Sequence, residues 1–204
     1  MTTHEVVLPL FSPLPHRYRT ICVDPPWNYK QHWGRKEVWA SDGRMFLKRG
    51  TERGAATQYD CLSDQEIAAI PVGEWSDFDA HLYVWTTNAF MVEAHNLAKG
   101  WGFEPKTILT WIKPRLGMGY YYRNTTEHVV FAVKGSLKAL RHDLRTNFSG
   151  EQGKHSEKPA AFYDMVESMS PGPYLDVFAR VHRFNWDAWG NEVYTPEGLP
   201  EPSR

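Results

Sequence analysis

The run Tyr18-Arg19-Thr20-Ile21-Cys22-Val23 stops at Asp24-Pro25-Pro26-Trp27. The run tends towards apolar alternation and is rich in β-branched residues, the pattern of a buried strand. Two successive prolines lack the N–H that a ladder needs and fix their own φ. The strand therefore ends there, and its carboxyl end throws Asp24 into a stiff loop. The carbonyls of Asp24 and Pro25 point in set directions before any ligand arrives. A buried strand that delivers a carboxylate, fixed carbonyls and a flat aromatic to one loop belongs in an open α/β sheet, where ligands bind at the carboxyl ends of strands.

Downstream, strand-like and helix-like patterns alternate. Ser63-Asp64-Gln65-Glu66 is a capping box that opens a helix to about Ile70, ended by Pro71. Residues 80–85 read as a strand. Residues 88–99 read as a helix, because Phe90, Met91, Ala94, Leu97 and Ala98 share one face and Gly100 follows as a stop. Residues 106–112 and 127–133 are predicted strands. Between them, Gly117-Met118-Gly119-Tyr120-Tyr121-Tyr122-Arg123 is glycine-flexible and aromatic, which suits a loop for a target base and equally a hairpin tip with solvated tyrosines. Residues 140–154 are polar and irregular and read as a second mobile loop. Pro159 stands as a first helical residue, with Phe162, Met165, Val166 and Met169 at helical spacing as core. Pro171-Gly172-Pro173 ends that helix ahead of a strand over residues 174–178. Such alternation predicts a doubly wound α/β domain. With 204 residues and 42% hydrophobic content, the chain suffices for one core. The domain is expected over residues 1–194, with residues 1–17 as a strand or arm on the sheet edge and 195–204 as a disordered tail.

Residues 28–58 break the alternation. They show no lasting period and hold seven basic against three acidic side chains, a net +4 in a chain whose formal net charge is −1. A segment this long in a compact domain reads as a lid or a binding loop. Its cations, Lys48, Arg49 and Arg53 among them, interleave with Tyr29, Trp33, Trp39 and Phe46, which suits phosphate contacts with bases stacked between them. A solvated charged face is the plain alternative. Only two cysteines, Cys22 and Cys61, occur, which suggests no disulfide framework. Residues 1–10 lack the pattern of a signal peptide, and no run approaches the ~20 apolar residues of a membrane span. An intracellular, cytoplasmic protein is expected.

A carboxylate and a carbonyl held at one strand end suit an exocyclic amine. The lone pair of an adenine amino group is delocalised into its ring, and acceptors for its two N–H bonds favour a more tetrahedral, more nucleophilic nitrogen. Trp27 would stack on the base. The stretch Asp24-Pro25-Pro26-Trp27 resembles the signature of the MT-A family. These are S-adenosylmethionine-dependent adenine-N6 methyltransferases, and they include the catalytic subunit of the eukaryotic mRNA enzyme and many bacterial and phage DNA enzymes. The resemblance runs from about Thr20 to Val193. It continues through Tyr59, through Leu82-Tyr83-Val84-Trp85-Thr86, and through Glu127-His128 with Val133-Lys134-Gly135. It closes with His155 to Pro159, Leu175-Asp176-Val177-Phe178-Ala179-Arg180 and Trp189-Gly190-Asn191-Glu192.

That resemblance implies a catalytic loop of Asp24, Pro25, Pro26 and Trp27 and S-adenosylmethionine as cofactor. Asp176, Val177, Phe178 and Arg180 would line the cofactor, and Asn191 and Glu192 would hold its ribose hydroxyls. Lys158 would approach its methionine end and Asp24 its amino-acid end. Tyr59, Tyr122 and Glu127 are expected on the substrate side. The order, catalytic loop before cofactor loop, matches the family's circularly permuted, Rossmann-like class I methyltransferase domain. It also accounts for the lack of Gly-x-Gly-x-x-Gly near the N-terminus, which disfavours a dinucleotide oxidoreductase. Ala179 and Arg183 depart from the glycine and the small polar residue of many relatives, and Glu192 replaces a glutamine of the mRNA enzyme. No metal is expected, since His155 and His182 lack a second pair at metal spacing. DNA is the expected partner by analogy with small bacterial and phage members. RNA, a catalytically silent nucleic-acid-binding subunit and a protein-amide methyltransferase are the alternatives. The intact Asp24-Pro25-Pro26-Trp27 weighs against the silent subunit, and asparagine in place of Asp24 would have favoured the amide enzyme. Without the family's zinc-finger region, target binding falls to loops, to a homodimer or to a partner methyltransferase-like subunit.

Overall fold

The computed structural model describes residues 14, 17–27, 62–117, 121–151 and 157–190, and the backbone of 35–39 and 45–49. In chain order the elements are strands β1 (Tyr18–Val23), β2 (Arg35–Trp39) and β3 (Met45–Arg49), helices α1 (Asp64–Ala68) and α2 (Val72–Trp75), strand β4 (Ser76–Thr86), a 3-10 turn (Asn88–Phe90), helix α3 (Met91–Gly100), strands β5 (Glu104–Ile112), β6 (Thr126–Lys134) and β7 (Asn147–Ser149), helix α4 (Ala160–Met169), and strands β8 (Tyr174–Val177) and β9 (Trp186–Trp189).

Seven strands form one sheet in the order β7-β5-β6-β4-β1-β8-β9. β1 pairs in parallel with β4 on one side and β8 on the other, β9 is parallel to β8, and β6 runs antiparallel to both β4 and β5. The period-2 alternation of the central strands divides the core between the two faces. Ile21, Val23, Leu82, Val84, Val130 and Ala132 pack on the face covered by α3, through Ala94, Leu97 and Ala98. Cys22, Tyr83, Trp85, Val129 and Phe131 pack on the other face, against Phe162, Tyr163 and Val166 of α4. The result is the expected α/β domain in three layers. Among the described residues, no helix is long and apolar enough to cross a membrane.

Local signals behave as the residues dictate where they are strong. The Ser63 hydroxyl accepts from the Glu66 N–H and the Glu66 carboxylate accepts from the Ser63 N–H, closing the capping box that starts α1. Weaker signals required correction. The segment 28–58 is not a featureless loop, because β2 and β3 pair antiparallel as a separate two-stranded sheet. The irregular stretch 140–154 contributes β7, which pairs in parallel with β5 and buries Phe148 against Trp85 and Phe162. Pro159 precedes α4 with extended ψ as its cap instead of opening it. The last strand of the sequence pattern ends at Val177, one residue early, because Phe178 turns into left-handed space with φ 63°.

Candidate active site

Topology brings the functional candidates to one edge. The carboxyl ends of β1, β4, β5 and β8 and the start of antiparallel β6 lie together, as the pairs Thr86↔His128, Trp111↔Glu127 and Cys22↔Asp176 require. The Asp24 N–H donates to the Val177 carbonyl at 3.1 Å, so the first residue past β1 is tied to the end of β8. The Trp27 N–H donates to the Pro25 carbonyl at 2.8 Å and closes a tight turn, leaving that oxygen one lone pair for another donor.

Trp27 is not presented to a base. Its ring is 6% exposed, stacks on Phe90 at 5.1 Å between centroids, and donates its indole N–H to the Trp85 carbonyl at 3.0 Å. The expected stacking role is corrected accordingly: the indole is consumed in bracing the loop against the sheet, as burial of so large an apolar surface favours.

Lys158, in the segment ahead of α4, joins two acids. Its ammonium stands 3.0 Å from Asp24 Oδ1 and 3.4 Å from Glu127 Oε2, and lies 4.6 Å from the centroid of the Trp85 ring. Glu127 gives its other oxygen to Lys113, whose ammonium sits over the Trp111 ring. A row of alternating charge thus runs Lys113, Glu127, Lys158, Asp24. Burial raises the Asp24 carboxyl above the usual range and Glu127 adds to this, while Lys158 and Arg180 pull it back. Glu127 stays below its usual value because Lys158 and Lys113 together outweigh its burial. Lys158 is held above the usual lysine range because Asp24 and Glu127 outweigh its own burial.

Beside this row opens a small cleft lined by Asp24, Trp85, Lys158, Asp176, Phe178 and Arg180, with Glu157, Tyr163 and Arg183 in its wall. Asp176 accepts from the Tyr163 hydroxyl at 2.8 Å, and burial, reinforced by the charge of Asp24, pushes its carboxyl up to about 7. The Arg183 guanidinium lies 3.9 Å from the Tyr163 ring centroid. Phe178 reaches the cleft through its left-handed backbone, and its N–H donates to the Trp189 carbonyl at 2.6 Å. Gly190 permits that turn, since a Cβ there would stand 3.0 Å from the Ala179 carbonyl oxygen.

Of the residues singled out in the sequence, Asp24, Lys158, Asp176, Phe178 and Arg180 share the cleft, and Glu127 joins them through Lys158. Val177 does not line it. Its side chain is wholly buried in the core, and only its carbonyl serves the site. Tyr122 is 88% exposed in the connection between β5 and β6. Tyr59, Arg53, His155, Asn191, Glu192, the tail and all of the N-terminal arm but Leu14 and Arg17 lie outside the described residues, and Lys48 and Arg49 are described only as backbone in β3. Lys113 and Tyr163 were not anticipated, and Arg183 was noted only as a departure from the family pattern. Lys113 directly follows a strand, and Tyr163 sits one helical turn into α4, positions that carry no motif of their own. Among the described residues, no group of three or more His, Cys, Asp or Glu side chains gathers to hold a metal.

The MT-A70 family model matches residues 18–192. The Type II methyltransferase M.MunI of a Mycoplasma species is 31% identical over 191 residues, which cover 90% of this chain and 82% of that protein. The human N(6)-adenosine-methyltransferase catalytic subunit METTL3 is 26% identical over 189 residues, 87% of this chain and 28% of that protein. The mouse N(6)-adenine-specific methyltransferase METTL4 is 26% identical over 199 residues, 86% of this chain and 37% of that protein. The chain therefore spans most of the first relative and a minor part of the other two.

Proposed function

The chain belongs to the MT-A70 family of methyltransferases, and from that premise we propose that it transfers a methyl group from S-adenosylmethionine to the N6 amine of adenine in DNA. The observation that carries this reading is the carboxylate of Asp24, fixed beside the Pro25 carbonyl at the mouth of a cleft that holds both acids and cations. The donor set of the cleft suits an amino-acid end, with Asp24 and Asp176 for an ammonium and Lys158 and Arg180 for a carboxylate. Asn191 and Glu192 are assigned to the ribose hydroxyls by family resemblance. When bound, S-adenosylmethionine supplies a methyl carbon on a sulfonium sulfur, which leaves with the bonding electron pair as a neutral thioether.

The protein's own part is to prepare the nitrogen. Asp24 accepts one N–H of the adenine amine and the free lone pair of the Pro25 carbonyl accepts the other. The nitrogen lone pair is thereby turned out of the ring and forms the new N–C bond. The nitrogen then holds one proton too many, and Asp24 is placed to take it and pass it to solvent. Reaching the amine requires the base to leave its stack. The basic segment 28–58 is assigned to the nucleic-acid backbone. DNA is favoured because the relative that this chain spans almost entirely is a Type II methyltransferase of similar size, whereas the adenosine methyltransferase METTL3 is far longer.

Incubation with methyl-labelled cofactor and either plasmid DNA or RNA, followed by digestion to nucleosides, tests the proposal. The label is expected in N6-methyl-2′-deoxyadenosine. Label confined to RNA would move the same chemistry to the other substrate, and no label in either would refute it.

A further inference from the structure

The charge row at the sheet edge contains two members, Lys113 and Glu127, to which methyl transfer as described assigns no task. Lys113 follows β5 directly, and its backbone is pinned by an N–H bond to the Thr125 carbonyl at 2.8 Å, across the ladder that also pairs Trp111 with Glu127. Its side chain is 15% exposed, lies over the Trp111 ring and binds Glu127 Oε1. Glu127 has only its second oxygen left for Lys158, at 3.4 Å, and Lys158 leans to Asp24 at 3.0 Å. A lysine ammonium between two carboxylates divides itself according to the charge each still offers. Lys113 compensates one of the two.

We infer that Lys113 is a positioning residue for methyl transfer: by engaging one oxygen of Glu127 it keeps Lys158 on Asp24. The inference rests on the reading that Asp24 serves the target amine. Asp24 is faced by Lys158 from ahead of α4, by Glu127 from β6, and by Asp176 and Arg180 from β8 and the loop after it. Of these groups Lys113 touches Glu127, which shares Lys158 with Asp24. Without it, Glu127 competes fully for Lys158, and Asp24 loses the cation that holds it ionised.

The sign follows from linkage. Asp24 accepts an N–H most strongly, and can take the amine proton, as a carboxylate, so a weaker hold by Lys158 raises its titration midpoint and moves the acidic limb of the rate profile to higher pH. Lys113→Met is expected to lower kcat roughly tenfold near neutral pH, within the range that outer partners of a functional group contribute, and to shift that limb upward. Lys113→Arg, which keeps the charge, is expected to restore both. A merely structural lysine would lower the melting temperature in Lys113→Met and leave the pH profile in place, which would overturn the inference. A readout independent of turnover is the titration of the Asp24 carboxyl carbon by NMR, in the parent and in both variants. Its midpoint is expected to rise in Lys113→Met and return in Lys113→Arg, and an unmoved midpoint overturns the inference. A parent protein that methylates no nucleic acid while that midpoint still moves would refute the proposed function and leave the coupling of Lys113 to Asp24 standing.

Discussion

Trp27 and Asp24 are three residues apart, and the structure separates their tasks. The indole of Trp27 is used up by Phe90 and by the Trp85 carbonyl, so its replacement acts on stability before it acts on substrate. Trp27→Ala is expected to cost ~3–5 kcal/mol, the range for an aromatic core residue cut to alanine. Trp27→Phe, which keeps the stack and removes one indole N–H bond, should cost about 1–3 kcal/mol by leaving a buried carbonyl unpaired. Urea midpoints of the unliganded protein check this, and parent-like stability of Trp27→Ala would show that the ring does not brace the loop. Three acids of the site were legible in the sequence, Asp24 from the double proline and Glu127 and Asp176 from the family pattern. Lys113 and Tyr163 were not, because each enters through an interaction made across the sheet edge or along a helix wall and neither stands in a motif, and Arg183 was visible only as a departure from the family pattern, not as a site residue.

At the scale of elements, legibility followed burial. β1 and β4 are buried along most of their length and β6 along its middle, and their apolar runs reveal them, although β4 also takes in Ser76 to Asp79 ahead of its apolar run. β7 is three residues long with a single packed ring, too short for any period to show. The strands β2 and β3 were missed for a different reason. Half of their residues are charged, and the register sets Arg35 opposite Arg49 and Lys36 opposite Lys48. Like charges directly across an antiparallel pair are unfavourable, and under the proposed function a polyanion along the ribbon would offset that repulsion. Lys48, Arg49 and Arg53 replaced together by alanine should weaken duplex binding at low salt and reduce the slope of log affinity against log salt by about 0.9 for each phosphate that is no longer neutralised. Cofactor affinity should stay unchanged. A triple variant with the parent's salt slope would remove this segment from the nucleic-acid interface.

For the whole molecule, the doubly wound α/β class followed from alternation of patterns, and the strand order became known only from the ladders. That order matters for function. β1 sits between β4 and β8, with the chain leaving it to one side and returning on the other, so Asp24 stands where the sheet's order switches and the cleft opens. Every assigned role depends on Asp24 at that point. The most direct test is single-turnover methyl transfer to an adenine-containing DNA, at saturating S-adenosylmethionine, by the parent and by Asp24→Ala, with melting temperatures measured alongside. The account predicts a rate lower by about a hundredfold to a thousandfold, the usual loss when a transition-state acceptor is removed, at an essentially unchanged melting temperature. Near-parental transfer by a folded Asp24→Ala protein would contradict it.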